Sequence, residues 1–160
     1  MEFSELPIPE PVQAGIRDCG FSTCTSIQEL TLPLTLTGQD VAGQAQTGTG
    51  KTAAFMVATL SRLIGQATLE DLIKQNAAKK KSKQKNSGVS KPRALLIAPT
   101  RELAIQIEQD AHSLGTHTGL VVHAVYGGVD YEKQQKMLIS GNVDILIGTP
   151  GRLIDYFKQK

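Results

Sequence analysis

Apolar residues along this chain recur with two alternating periods. Helical spacing runs from Pro11 to Cys19 and again over 26–36, the second stretch interrupted by Pro33. "DVAGQA" (40–45) then reads as a short strand leading into a glycine-rich loop. Residues 51–64 return to a helical stripe whose spacing extends toward Ile73. Beyond a lysine-rich stretch the alternation continues. "RALLIAP" (93–99) reads as a buried strand, "TRELAIQIEQDAHSLG" (100–115) as an amphipathic helix closed by Gly115, and "LVVHAVYGG" (120–128) as a strand. A helix over 130–140, a strand at "VDILIGT" (143–149) and a helix opening at "PGRLIDYF" (150–157) complete the order. Near-continuous apolar strands separated by helices predict an α/β domain, its parallel sheet covered on both faces and joined by right-handed crossovers.

Composition leaves that picture intact. A chain of 160 residues, 40% hydrophobic and 20% charged, suits one soluble domain with a real core. No apolar run approaches membrane-spanning length. "MEFSELPIPEP" carries acidic residues and prolines where a secretory leader would be basic and then apolar, so the expected setting is the cytoplasm. Cys19 and Cys24 have no matching pair and are expected to be free thiols; His112, His117 and His123 share no metal-ligand spacing.

Charge adds one feature. Residues 74–93 hold eight of the 17 Lys and Arg residues and no acidic one, so a net charge of +2 hides nine basic against 15 acidic residues elsewhere, a balance of −6. Such a block predicts a flexible surface insertion. It reads either as an electrostatic contact for nucleic-acid phosphates or as a solubilising connection between core elements.

Ligands of open α/β sheets sit beyond the carboxyl ends of the strands. Four loops there are polar and rich in Gly or Pro: "GQAQTGTGKT", "APTREL", "YGGVD" and "IGTPGR". In the first, Ala45, Gln46, Thr47, Gly48, Thr49, Gly50, Lys51 and Thr52 have the spacing of a phosphate-binding loop, with alanine at the head where the general pattern has glycine. Gly48 and Gly50 permit the backbone angles that aim several N–H groups at one phosphate. Lys51 supplies an ammonium for the β- and γ-phosphates and Thr52 a hydroxyl for Mg2+, while the following helix turns its positive end to the same anion. A ligand-free glycine turn is the bland alternative, which the strand–loop–helix context outweighs.

The alanine sharpens the reading. "AQTGTGKT" resembles motif I of the DEAD-box RNA helicases, A-x-T-G-x-G-K-T. "GFSTCTSIQ" (20–28) resembles that family's Q motif, "PTRELA" (99–104) its motif Ia, "YGG" (126–128) its glycine doublet and "TPGR" (149–152) its motif Ib. Order and spacing agree over essentially the whole chain. The resemblance implies a RecA-like fold with a Q-motif region (1–36) and a phosphate-loop core (37–160). It implies an ATP-dependent RNA helicase with ATP and Mg2+ as cofactors, in which Lys51 and Thr52 serve catalysis. Gln28 would select adenine, with Phe3 stacking on the ring and Phe21 beside it. Cys24 and Ser26 stand where the family usually has prolines, which loosens that loop. Thr100, Arg101, Gly127, Gly128, Thr149, Gly151 and Arg152 would contact RNA through its backbone without reading bases. Taken singly, "PTREL" is also a helix cap and "TPGR" a turn.

Absences narrow the expectation. Neither D-E-A-D, whose carboxylates position the metal and attacking water, nor S-A-T occurs in the 160 residues. The chain is therefore expected to be an N-terminal portion, inactive alone, that requires a second RecA-like domain and leaves strand edges unpaired. RNA and RNA-processing proteins are the expected partners, and "VAGQAQTGTGKTAAF" has a bacterial look, of the RNA-degradosome helicase type. A phosphate-loop kinase or DNA translocase, and a non-catalytic nucleotide- or RNA-binding module, are the alternatives.

Overall fold

The computed structural model describes residues 1–65, 90–140 and 142–158. Most of the lysine-rich stretch, through residue 89, and the extension toward Ile73 lie outside the described residues. Backbone proximity divides the chain into two units, one of residues 1–65 with Asp110–Gly119, the other of 90–109 with 120–158.

The first unit is built on three helices: α1 (Glu10–Asp18), α2 (Ser26–Leu36) and α3 (Lys51–Gly65). Their starts follow local chemistry. α2 opens with a capping box, in which Thr25 accepts the Gln28 N–H and the Gln28 side chain accepts the Thr25 N–H at 2.8 Å. It then runs through Pro33 without ending. The apolar stripe of α3 (Met56, Val57, Leu60, Leu63, Ile64) recurs at helical spacing and is buried with Val12 and Ile16 of α1 and Leu32 of α2. Each such side chain, fully buried, contributes about 1.5–3 kcal/mol. Gly15 of α1 touches backbone: a Cβ there would stand 2.0 Å from the Leu114 carbonyl oxygen. Only glycine permits that approach.

In the second unit three short parallel strands, β1 (Ala94–Ile97), β2 (Val122–Val125) and β3 (Ile145–Gly148), lie in the order β1-β3-β2. Ile145 and Ile147 of the central strand are fully buried. α4 (Arg101–Leu114) follows β1, α5 (Tyr131–Ser140) follows β2 and α6 (Pro150–Lys158) follows β3. Asp144 gathers the strand starts. Its backbone oxygen accepts the N–H groups of Arg93 (2.8 Å) and Ala94 (3.1 Å), and its carboxylate accepts the Val121 N–H (2.9 Å) and meets the Arg93 guanidinium at 3.2 Å. The α/β class with a parallel sheet is as expected.

Two expectations about strands fail. Residues 40–45 form no strand, because a strand is held by its ladder and none of the described residues pairs with this stretch. β1 is not buried on both faces: Leu95 and Ile97 are 55% and 64% exposed, alternating with half-buried Ala94 and Leu96. Among the described residues it pairs with β3 alone, at one edge of the sheet.

Candidate functional site

The glycine-rich loop of the first unit turns through 47–50 directly into α3. Gly48 and Gly50 both have left-handed backbones, φ +79° and +87°, which residues with a Cβ adopt only under strain. Gly50 has a second constraint, since a Cβ there would lie 2.5 Å from Gln28 Nε2. The loop is tied to α2 at two carbonyls. Thr25 Oγ1 donates to Thr49 O at 2.8 Å, and Gln28 Nε2 donates to Gly50 O at 3.1 Å. Gln28 is only 4% exposed, and its amide spends one donor and one acceptor on holding the loop and capping α2.

Lys51 folds back, its ammonium donating to the carbonyls of Ala45 and Gln46, and Thr49 Oγ1 donates to Gln46 O at 2.8 Å. The cation is thus held inside the loop by one part-buried and one exposed carbonyl oxygen, neutral partners that a phosphate would outcompete. Thr47 lies open on the loop and Thr52 half-buried on the first turn of α3. Of the two aromatic residues expected near a base, Phe21 is 45% exposed, whereas Phe3 is 3% exposed, with its carbonyl accepting from Gln13 Nε2 at 2.7 Å. Phe3 is a core residue of this unit and offers no open ring face.

The second unit gathers the remaining expected residues at the sheet's C-terminal edge. Thr100 caps α4, its Oγ1 accepting the Leu103 N–H at 3.3 Å, and Arg101 is the first residue of that helix. The guanidinium of Arg101 stacks over the Tyr126 ring, 5.4 Å from its centroid. Gly128 has φ +81°, and a Cβ there would lie 3.0 Å from Arg101 Nη1. Thr149 joins the strand end by donating its N–H to Val125 O at 3.1 Å, and α6 begins at the next residue. Arg152, third in α6, donates to Gln134 Oε1 at 2.9 Å and Val129 O at 3.2 Å, and lies over the Tyr131 and Tyr156 rings. Gly127 and Gly151 are exposed, with open space where a Cβ would stand.

Sequence reasoning passed over Thr25, Gln134 and all three tyrosines. Thr25 was legible in T-x-x-Q, the capping-box pattern. The tyrosines carried no comparable signal, because no spacing rule says which side chain seats an arginine. Among the described residues no group of His, Cys, Asp or Glu suits a metal ion, and no helix is long and apolar enough to cross a membrane.

Comparison with known proteins bears on the same segments. An ATP-dependent RNA helicase RhlB of Xanthomonas oryzae pv. oryzae is 51% identical over 157 residues, which is 98% of this chain and 25% of that protein. RhlB of Shewanella piezotolerans is 49% identical over 158 residues, 99% of this chain and 32% of that protein. The chain thus spans a quarter to a third of the length of these relatives. The crystal structure of a hypothetical ATP-dependent RNA helicase from Sulfolobus tokodaii superposes with a TM-score of 0.71 at 30% identity, over 95% of this chain and 37% of that one. That likeness accounts for the RecA-like arrangement of helices around a parallel sheet. The profile of DEAD/DEAH box helicases matches residues 25–160, from the threonine that ties down the glycine loop through the arginine of α6. With the loop, the glycine doublet and both helix-starting arginines inside that match, the chain belongs to the DEAD/DEAH box helicase family.

Proposed function

We propose that this chain carries the ATP-holding loop and part of the RNA-backbone grip of a bacterial, cytoplasmic ATP-dependent RNA helicase. The observation that carries this reading is the pair of left-handed glycines, Gly48 and Gly50, running into α3 at Lys51. Those backbones free the N–H groups of the turn, and the helix start adds its dipole, so a polyphosphate fits. Lys51 exchanges the Ala45 and Gln46 carbonyls for phosphate oxygens. Thr52 offers the hydroxyl that would hold a magnesium ion, whose charge would offset that of the phosphates. Gln28 has one N–H and one lone pair to spare, which suits the N7 and N6 edge of adenine, and Phe21 is the open ring nearest in sequence.

RNA contact is supported by two arginines at helix starts. A helix N-terminus disfavours a cation and welcomes an anion, so Arg101 and Arg152 sit where a phosphate gains from both dipole and charge. Neither reads bases, and sequence-independent binding follows. Family membership and the RhlB relatives favour this reading over a kinase, a DNA translocase or a non-catalytic module. Because D-E-A-D occurs nowhere in the 160 residues, the chain is expected to bind ATP without turning it over. A phosphate-release assay with and without single-stranded RNA tests this. Lys51-dependent hydrolysis by the 160-residue chain would contradict it.

A further inference from the structure

We infer that the tyrosines of the second unit are positioning residues for its two helix-starting arginines. The inference rests on the RNA reading of Arg101 and Arg152. The chain has three tyrosines, and every one lies beneath one of these guanidinium groups. Tyr126 underlies Arg101 at 5.4 Å, while Tyr131 and Tyr156 flank Arg152 at 5.2 and 5.9 Å. The two rings of the second seat are themselves in contact, 4.6 Å between centroids, and Tyr156 donates its hydroxyl to Tyr131 O at 3.1 Å.

The arrangement answers a physical problem. An arginine in the first turn of a helix is repelled by the helix dipole, and its long side chain has many rotamers. A carboxylate neighbour would fix it but would also neutralise it. Neither Arg101 nor Arg152 has an ion-pair partner among the described residues. An aromatic face attracts a guanidinium through its quadrupole, orients the plane and leaves the full charge; at Arg101 it also leaves the N–H edge for an anion, whereas Arg152 is held further by its bonds to Gln134 Oε1 and Val129 O. Gly128 completes the first seat, because a Cβ would crowd Arg101 Nη1 at 3.0 Å. The Tyr131 hydroxyl is buried with no hydrogen-bond partner among the described residues, so the ring, not the hydroxyl, explains that residue.

The test is a double-mutant cycle in the full chain, read by anisotropy of a labelled oligouridylate at several salt concentrations. Arg101→Ala is expected to weaken binding about tenfold and to lower the salt slope by about 0.7. Tyr126→Leu is expected to weaken binding about two- to fivefold, and Tyr126→Phe, which keeps the ring, to bind like the unaltered chain. In the Arg101→Ala background, Tyr126→Leu should then have no further effect. A Tyr126→Leu loss that persists without Arg101 would overturn the inference, since the ring would be touching RNA itself. So would a Tyr126→Leu chain that binds normally. If Arg101→Ala and Arg152→Ala both bind RNA unchanged, the RNA reading fails and the seats fail with it. Matching circular dichroism and melting curves exclude misfolding as the cause of any loss.

Discussion

The side-chain amide of Gln28 bridges two elements, accepting the Thr25 N–H at 2.8 Å and donating to the Gly50 carbonyl at 3.1 Å. One residue therefore starts α2 and braces the glycine-rich loop. The two duties separate by substitution. Gln28→Ala removes both and should lower stability by about 1–2 kcal/mol. Gln28→Glu keeps the cap, favoured by the helix dipole, but sets a carboxylate against the Gly50 carbonyl. Thermal melts should place both variants below the unaltered chain, Gln28→Glu because its buried carboxylate faces a carbonyl, and ATP titration should find both weakened. Normal ATP binding by Gln28→Glu would show that the brace is unimportant.

Gly48 and Gly50 look alike in sequence and differ in surroundings. Gly48→Ala meets no neighbour within 4 Å, so its cost is the left-handed backbone alone, about 1–2 kcal/mol. Gly50→Ala adds a collision with Gln28 Nε2. Melting curves should rank Gly50→Ala clearly below Gly48→Ala; equal losses would contradict the packing at Gly50.

Much of this was legible beforehand. The 3.6-residue stripes of α2 and α3 and the apolar cores of β2 and β3 depend on local pattern, and their ends fall within three residues of where that pattern puts them. What failed depends on partners. Residues 40–45 have strand-like composition, yet a strand exists only with a ladder, and composition carries no word about the neighbour. Leu95 and Ile97 looked buried because β1 is apolar, while their exposure shows that the face they share is left uncovered by the described residues. Phe3 was read as a ligand-facing ring, and the packing of the first unit draws it inward. The roles expected of Lys51 and the arginines rest on charge and loop position. Their holders, the Ala45 and Gln46 carbonyls and the three tyrosines, belong to the folded geometry.

Asp144 is the polar joint of the sheet. Asp144→Ala leaves the Val121 N–H without its carboxylate acceptor and removes the Arg93 ion pair. A loss of about 2–4 kcal/mol is expected in urea unfolding. A loss below about 0.5 kcal/mol, the size of an ordinary surface change, would contradict the joint.

Burial pushes the Asp110 carboxyl above its ordinary value of 3.8. A raised carboxyl binds its proton more tightly in the folded state. Its contribution is therefore fully present below pH 3.8 and lost as pH rises through the folded value. Asp110→Asn should accordingly raise the melting temperature at neutral pH, with the advantage shrinking in acid. A melting temperature lowered at neutral pH would show that the carboxylate is stabilising.

The central claim is that Lys51 and its loop hold a nucleoside triphosphate, and calorimetric titration of ATP with magnesium into the unaltered chain and Lys51→Ala tests it most directly. A charge-assisted contact of about 1.5–3 kcal/mol corresponds to roughly ten- to a hundredfold in Kd, reduced by whatever Lys51 gives up in leaving the Ala45 and Gln46 carbonyls. The account predicts measurable binding by the unaltered chain and at least about tenfold weaker binding by Lys51→Ala. Equal affinity in the two proteins, or no binding by the unaltered chain, would contradict it.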